Sequence, residues 1–281
     1  MFYNAGNKPG CTSSSTCVYG IQYGDSSFSV GYFGKEKLTL TSNDAFSNFL
    51  FGCGQNNQGL FGGSAGLIGL GRDPLSLVQQ TAAKYGRVFS YCLPLTSSST
   101  GSLTFGKSAR PSSAIKFTPF SKVTEGTSFY GLDTVGISVA GRTLSIAASV
   151  FSNSGTIIDS GTVITRLPPT AYSALKTAFR QAMKNYPLTT PLSLLDTCYD
   201  LTKYDTVTVP KIGFSFNGGV YVDLDASRTL FASKVSQVCL AFAANSDDDS
   251  VAIFGNVQQR GLEVVYDLAG GKIGFGPPSC S

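Results

Sequence analysis

Short apolar stretches separated by glycine-rich turns dominate this chain, and most alternate with the period of two that a half-buried strand requires. Residues 18–23 and 28–32 alternate about a turn at Gly24-Asp25-Ser26-Ser27, which predicts a long hairpin with Tyr23 at its tip. Phe49-Leu50-Phe51-Gly52-Cys53-Gly54 reads as a buried strand, residues 102–105 as another, and residues 130–145 as strands turning at Ala140-Gly141. Further hairpins are predicted at Asn217-Gly218-Gly219, and between Val264-Val265-Tyr266 and Ile273-Gly274-Phe275 across Leu268-Ala269-Gly270-Gly271. Two stretches carry the helical period instead. Leu75, Leu77, Val78 and Ala82 give residues 75–85 an apolar face, and Tyr172, Leu175, Phe179 and Met183 do the same for a helix opening at Pro168-Pro169-Thr170. The pattern predicts a mainly β protein with one substantial helix.

One polar interruption stands out. Gly155-Thr156-Ile157-Ile158 runs into Asp159-Ser160-Gly161-Thr162, and Val163-Ile164 leads out. β-branched residues favour strands and Gly161 permits a tight turn, so an acid is presented on a loop between two buried strands. A charge so placed is costly unless it is hydrogen-bonded or put to chemical use. A lone Asp-Ser-Gly is more often a surface turn; the apolar flanks set this one apart.

Composition narrows the function classes. With 281 residues, 42% apolar and only 14% charged, and with 32 glycines, the chain suits one large β domain or two lobes. The most loop-like stretch, residues 107–115, places the boundary so that the lobes are residues 1–117 and 118–281. A net charge of +4 without a Lys/Arg cluster implies no nucleic-acid partner, and the apolar runs are too short for a membrane-spanning helix. The first residues lack the basic-then-apolar order of a signal peptide. The absence of histidine excludes Ser-His-Asp and Cys-His catalysis and histidine metal sites. Seven scattered cysteines with no Cys-x-x-Cys pair argue against zinc and for disulfides formed in an oxidising compartment. Seven is odd, so one thiol is free or its partner lies outside this chain. No metal and no cofactor are expected. Residues 101–108 match the phosphate-loop pattern G-x-x-x-x-G-K-S by letter. They lack the preceding strand and following helix that would aim backbone amides at a phosphate. The glycines of residues 62–71 are in the wrong order for a dinucleotide loop, and Asp247-Asp248-Asp249 reads as a solvated loop rather than a calcium site.

Two stretches share one form: Gly66-Leu67-Ile68-Gly69 and Ala252-Ile253-Phe254-Gly255, each a short apolar run ending in glycine. Each suits a buried strand crossing beneath a loop. Asp-Ser-Gly-Thr lies upstream of the second, whereas no other Asp-(Thr/Ser)-Gly occurs in the sequence. Together with Tyr23-Gly24-Asp25, Phe89-Ser90-Tyr91-Cys92-Leu93, Thr165-Arg166-Leu167-Pro168-Pro169 and Asp196-Thr197-Cys198-Tyr199-Asp200, these motifs make the chain resemble a pepsin-type aspartic protease. The likeness is to the nepenthesin-like plant branch, which includes the chloroplast-nucleoid-associated subgroup, and it covers nearly the whole chain in order.

The resemblance implies a bilobal pepsin-like fold, with an N-terminally truncated chain and an incomplete N-lobe lacking the first catalytic loop. Asp159 would be catalytic, Ser160, Gly161 and Thr162 would support its loop, and Tyr23, Gly24 and Asp25 would form a flap closing over substrate. Disulfides Cys198–Cys239 and Cys92–Cys280 are implied, while Cys11, Cys17 and Cys53 would have partners outside this chain. Leu67 and Ile68 would expose an apolar edge. Aspartic proteases use two carboxylates that cannot both ionise, so one polarises the substrate carbonyl while the other deprotonates water. With Asp159 alone, the expectation is an endopeptidase family member, a monomer acting on peptides or proteins in acid, that does not cleave by itself. The alternative is a non-catalytic binding or inhibitor-like protein, since the resemblance extends to plant xylanase inhibitors and seed globulins. The family and the cysteines suggest the apoplast, the vacuole or the chloroplast.

Overall fold

The computed structural model describes residues 10–11, 13, 16–109, 113–278 and 280, and the chain divides into two units, residues 1–83 and 84–281. In the first unit, β1 (Gly10–Cys11), β2 (Cys17–Gln22), β3 (Phe28–Thr41) and β4 (Asp44–Gln58) form an antiparallel sheet in chain order. Gln22 pairs with Phe28, which leaves Tyr23 to Ser27 as the expected hairpin tip. Cys11 lies opposite Cys17 across β1 and β2, and the two are bonded to each other. This corrects the expectation that both would need partners elsewhere: neighbouring strands set them face to face. Cys53 is free and exposed.

Three further expectations for this unit differ from the structure. Residues 49–54 do lie in a strand, but it is not buried: Phe51 is 42% exposed, and β4 is an edge strand paired only with β3 among the described residues. Residues 66–69 form no strand at all, although Leu67 and Ile68, 61% and 66% exposed, do present the apolar surface expected of them. The helix expected over residues 75–85 divides into α1 (Leu77–Gln80) and α2 (Ala82–Tyr85). The break is at Thr81, whose hydroxyl donates to the Leu77 carbonyl at 2.7 Å while its backbone leaves the helical region at φ −102°, ψ 8°. The same carbonyl also accepts the Thr81 N–H at 3.0 Å, and a threonine hydroxyl sharing the i−4 carbonyl in this way bends a helix.

The second unit opens with β5 (Val88–Cys92), β6 (Ser102–Phe105) and β7 (Lys116–Pro119), then β8 (Tyr130–Leu132), β9 (Thr134–Val139), β10 (Arg142–Thr143) and the single-turn α3 (Ser149–Ser152). β11 (Thr156–Ile158) and β12 (Thr165–Leu167) bracket Asp159 and lead into α4 (Pro169–Ala182). β13 (Leu188–Thr189), β14 (Cys198–Tyr199), β15 (Ile212–Phe216) and β16 (Val220–Leu224) follow. Next come α5 (Ala226–Thr229), β17 (Leu230–Lys234), β18 (Gln237–Leu240) and β19 (Phe242–Ala244). β20 (Ala252–Phe254), α6 (Asn256–Gln259), β21 (Leu262–Asp267) and β22 (Lys272–Pro278) come last.

These strands make four sheets, ordered β10-β9-β15-β16, β19-β12-β20-β11-β8, β13-β14-β18-β17 and β6-β5-β21-β22-β7. The hairpin about Leu268 to Gly271 has the expected register, with Val264 opposite Phe275 and Tyr266 opposite Ile273. The Asn217 turn uses Gly218 and Gly219 at φ 76° and 75°, a region that glycine enters without strain. The phosphate-loop look-alike contributes β6 itself, followed by four residues of 3-10 helix.

α4 buries Ala171, Tyr172, Leu175 and Phe179, with Met183 closing its end. Pro169 occupies the first turn, where a missing N–H costs nothing. Asp248 caps this helix from a distant loop, accepting from the Thr170 N–H at 2.9 Å and from its hydroxyl at 2.5 Å. The core between sheets is aromatic. Phe214, Phe216, Phe242 and Phe254 are each no more than 1% exposed, and Phe254 meets Phe214 and Phe216 edge-on at 5.3 and 5.7 Å. A satellite core of Ile164, Leu195, Ala241, Ala243 and Val257 surrounds the Cys198–Cys239 disulfide. The Cys92–Cys280 disulfide joins β5 to the chain end. The fold is mainly β, 42% strand against 17% helix.

Candidate active site

Asp159 follows β11 directly, and the loop it opens must reach β12. β20 lies between those two strands, parallel to β11 and antiparallel to β12, so the loop crosses over the end of β20. That crossing explains Gly255. A Cβ there would lie 2.6 Å from the Ile164 carbonyl carbon and 2.8 Å from the Thr165 nitrogen, and backbone atoms cannot yield as a flexible side chain can.

Each carboxylate oxygen of Asp159 accepts one bond from its own loop: Oδ1 from the Gly161 N–H at 2.8 Å, Oδ2 from the Thr162 hydroxyl at 2.7 Å. The Asp159 N–H donates to the Phe254 carbonyl at 3.1 Å. The carboxylate is half-buried, whereas Ser160 and Gly161 are exposed. A carboxylate fixed by two donors on a rigid strand end, yet reachable from solvent, suits proton transfer to a bound water or carbonyl.

α6 holds the loop from beneath. The Asn256 N–H donates to the Thr162 carbonyl at 2.7 Å, and the Val257 N–H to the Val163 carbonyl at 3.0 Å. The Asn256 side-chain amide donates to the Ser160 carbonyl at 3.0 Å. Gln258, fully buried, accepts from the Thr165 N–H and hydroxyl at 3.1 and 2.7 Å and donates to the Arg228 and Ala241 carbonyls at 2.9 and 3.1 Å. Gln259, also fully buried, donates to the Phe254 carbonyl at 2.8 Å, the same oxygen that receives the Asp159 N–H.

The Gln259 side-chain oxygen accepts from the Tyr91 hydroxyl, which lies 2.8 Å from the Tyr266 hydroxyl. Burial pushes both phenols far above their ordinary values, and the Asp159 charge adds to the rise. Both therefore stay protonated and serve as donors. Tyr91, Asn256, Gln258 and Gln259 are site residues that sequence reasoning did not single out. Their only sequence signal is polarity inside otherwise apolar runs, in Phe89-Ser90-Tyr91-Cys92 and Gly255-Asn256-Val257-Gln258-Gln259.

Tyr23, Gly24 and Asp25 form the β2–β3 turn of the first unit. The turn is closed by Tyr23 N–H to Ser27 carbonyl and Ser26 N–H to Tyr23 carbonyl bonds at 2.8 and 3.0 Å. Asp25 accepts from the Ser27 N–H at 2.9 Å, a bond that holds its carboxyl below the usual range. Ser27 in turn accepts from the Leu60 N–H at 2.9 Å, which ties the hairpin tip to residues 59–61. Tyr23 is half-buried edge-on to Phe61 at 5.9 Å, and burial raises its phenol pKa, with Tyr19 adding to the rise. Beneath the turn lies a groove of about 390 Å3 lined by Tyr19, Tyr23, Phe33, Phe61 and Leu67. Among the described residues, no group of three or more His, Cys, Asp or Glu is placed to hold a metal ion, and no helix is long and apolar enough to cross a membrane.

Comparison with known proteins gives a consistent result. Two family descriptions match, xylanase inhibitor N-terminal over residues 3–107 and xylanase inhibitor C-terminal over residues 129–277. An aspartyl protease family protein of Arabidopsis thaliana is 60% identical over 276 residues, which are 98% of this chain and 58% of that protein. The aspartyl protease AED1 of Arabidopsis thaliana is 55% identical over 95% of this chain and 57% of its own length. The aspartic proteinase nepenthesin-2 of Nepenthes gracilis is 35% identical over 95% of this chain and 62% of its own length. The chain thus spans about three fifths of the curated relatives it matches. Among solved structures, basic 7S globulin from soybean superposes with a TM-score of 0.77 at 23% identity, over 97% of this chain and 74% of that one. That likeness concerns the fold.

Proposed function

The chain belongs to the pepsin-like aspartic protease family of plants, and on that premise we propose that Asp159 is one half of a two-aspartate centre for hydrolysing internal peptide bonds in acid. The supporting observation is the Asp159 loop itself. Its carboxylate is held by Gly161 and Thr162 and its backbone is fixed by Phe254 and α6. In such a centre one carboxyl donates a hydrogen bond to the scissile carbonyl while the other takes a proton from the attacking water. The resulting tetrahedral intermediate collapses as the nitrogen is protonated. Thr162 and Gly161 keep the Asp159 oxygens in place through those transfers. By the family resemblance the turn carrying Tyr23, Gly24 and Asp25 acts as a flap that excludes water, and the bond cleaved lies next to bulky apolar side chains.

This sequence contains one Asp-Ser-Gly-Thr and no other Asp-(Thr/Ser)-Gly, so by itself it supplies one such carboxylate and does not turn over peptides. The test measures cleavage of a denatured protein at about pH 3–5, where a carboxylate dyad shares one proton. It uses this chain, the Asp159→Asn variant, and a chimera carrying the Asp-Thr-Gly segment of an active family member ahead of residue 1. Cleavage is expected only from the chimera, blocked by a transition-state mimic and lost on Asp159→Asn. Inhibitable cleavage by the chain alone would overturn the two-aspartate requirement, and a silent chimera would overturn the peptidase reading.

A second reading, a binding or inhibitory protein on the same fold, is favoured by the matched family descriptions, both of which name xylanase inhibitors. Saturable inhibition of a xylanase by the intact chain, unchanged by Asp159→Asn, would establish it in place of the first.

A further inference from the structure

The C-terminal end of α4 and the strands after it enclose another concavity of about 390 Å3, none of whose lining residues belongs to the Asp159 loop. One wall is the α4 face bearing Thr177, Arg180 and Gln181. Lys184 projects from the turn beyond, and Tyr199 of β14 contributes from the interior side. Arg180 and Lys184 are exposed, and no lining residue carries a negative charge. Neither cation has an ion pair or hydrogen bond with any described residue.

Tyr199 is 1% exposed and packs its ring against Phe179 at 6.2 Å, yet its hydroxyl is buried without a hydrogen-bond partner. An unpaired buried hydroxyl costs about 1–3 kcal/mol, and phenylalanine would pack the ring equally well. Burial raises the Tyr199 pKa and the Arg180 charge opposes that rise without cancelling it, so the hydroxyl is protonated and a donor. Cations at a helix C-terminus commonly just complement the macrodipole. That accounts for Arg180 and Lys184 but leaves Tyr199 unexplained.

We propose that this pocket binds a tetrahedral oxyanion, a phosphate or sulfate group either free or as the ester terminus of a larger molecule. Arg180 offers its planar fork of N–H donors, Lys184 a mobile point charge, and Tyr199 one directional hydrogen bond from the buried side. Two full positive charges outweigh the half charge of the helix end, which by itself would repel an anion. The site is independent of Asp159 and of whether the chain cleaves peptides.

Calorimetric titration of the full chain with inorganic phosphate, sulfate and O-phosphoserine, at constant ionic strength in chloride, tests it. Saturable binding is expected for the wild type. Arg180→Gln, Lys184→Gln and Tyr199→Phe should each weaken it by about tenfold or more, the range of a hydrogen bond to a charged group. Tighter binding of phosphoserine than of inorganic phosphate would show that an ester is read, and equal binding that the free anion suffices. In chloride alone, Tyr199→Phe should melt at the same temperature as wild type or higher, since it removes an unpaired hydroxyl. No saturable binding, or equal affinity in wild type and all three variants, overturns the proposal. A Tyr199→Phe protein destabilised in chloride would mean that the hydroxyl is already partnered, and would overturn its assignment as the donor.

Discussion

At the scale of single residues, the Asp159 loop depends on buried amides more than on its own sequence. Gln259 occupies the junction, donating to the Phe254 carbonyl that also receives the Asp159 N–H and accepting from Tyr91. Gln259→Leu keeps the volume but removes the acceptor of the Tyr91 O–H, which retains only Tyr266, and one donor to the Phe254 carbonyl, at a cost of about 1–3 kcal/mol. Adding Tyr91→Phe removes one of the stranded partners, so the double variant should be less destabilised than the sum of the singles. Urea unfolding of all three variants measures this; strict additivity would show that the bond contributes nothing. Asp159 and Thr162 could be read from the tetrapeptide because their bonds span two or three residues. Gln259 could not, because its partner Tyr91 is 168 positions away.

Among the elements, α4 shows how local pattern and remote contact divide the work. Its apolar face and Pro169 are legible in sequence, but its cap is Asp248, 78 residues downstream. Asp196, which accepts from Lys176 at 2.8 Å and from Tyr172, anchors the same helix to the strand region carrying Cys198. The Asp248 carboxyl is held below its ordinary value by the Thr170 hydroxyl and N–H. For Asp196, burial pushes upward but the bonds from Lys176, Tyr172 and Thr197 outweigh it, and its carboxyl also lies low. A carboxyl depressed in the folded state contributes stability above its unfolded value of about 3.9, and loses it as pH falls through the folded value. Wild type should therefore melt above Asp248→Ala and Asp196→Asn at pH 7, with both differences shrinking as pH falls below about 3.9. Differences that stay constant from pH 7 into the acid range would show that the carboxylates do not act through charge.

Over the whole second unit, the chain is fastened by bonds between remote positions. Cys92 and Cys280 are 188 residues apart, and closing so long a loop restricts the unfolded ensemble strongly. The Cys92→Ser, Cys280→Ser double variant should unfold about 2–5 kcal/mol more easily, measured on the second-unit transition in guanidinium. A loss below about 1 kcal/mol would show that β5 is secured by its pairing with β6 and β21 alone. The sequence by itself determined the mainly β class, the hairpins about Asn217 and Leu268, helix α4, and the Asp159 loop. These follow from contacts between near neighbours: alternation, turn chemistry and capping. Only the tertiary structure decided that the crossing over β20 leaves no room for a Cβ at Gly255, that Gln258, Gln259 and Tyr91 are buried around it, and that residues 66–69 form no strand. It also decided that Cys11 pairs with Cys17 and that Tyr199 lies beside Arg180 and Lys184. Such arrangements depend on which distant strands pair, and a residue's own neighbours in the chain carry almost no information about that choice.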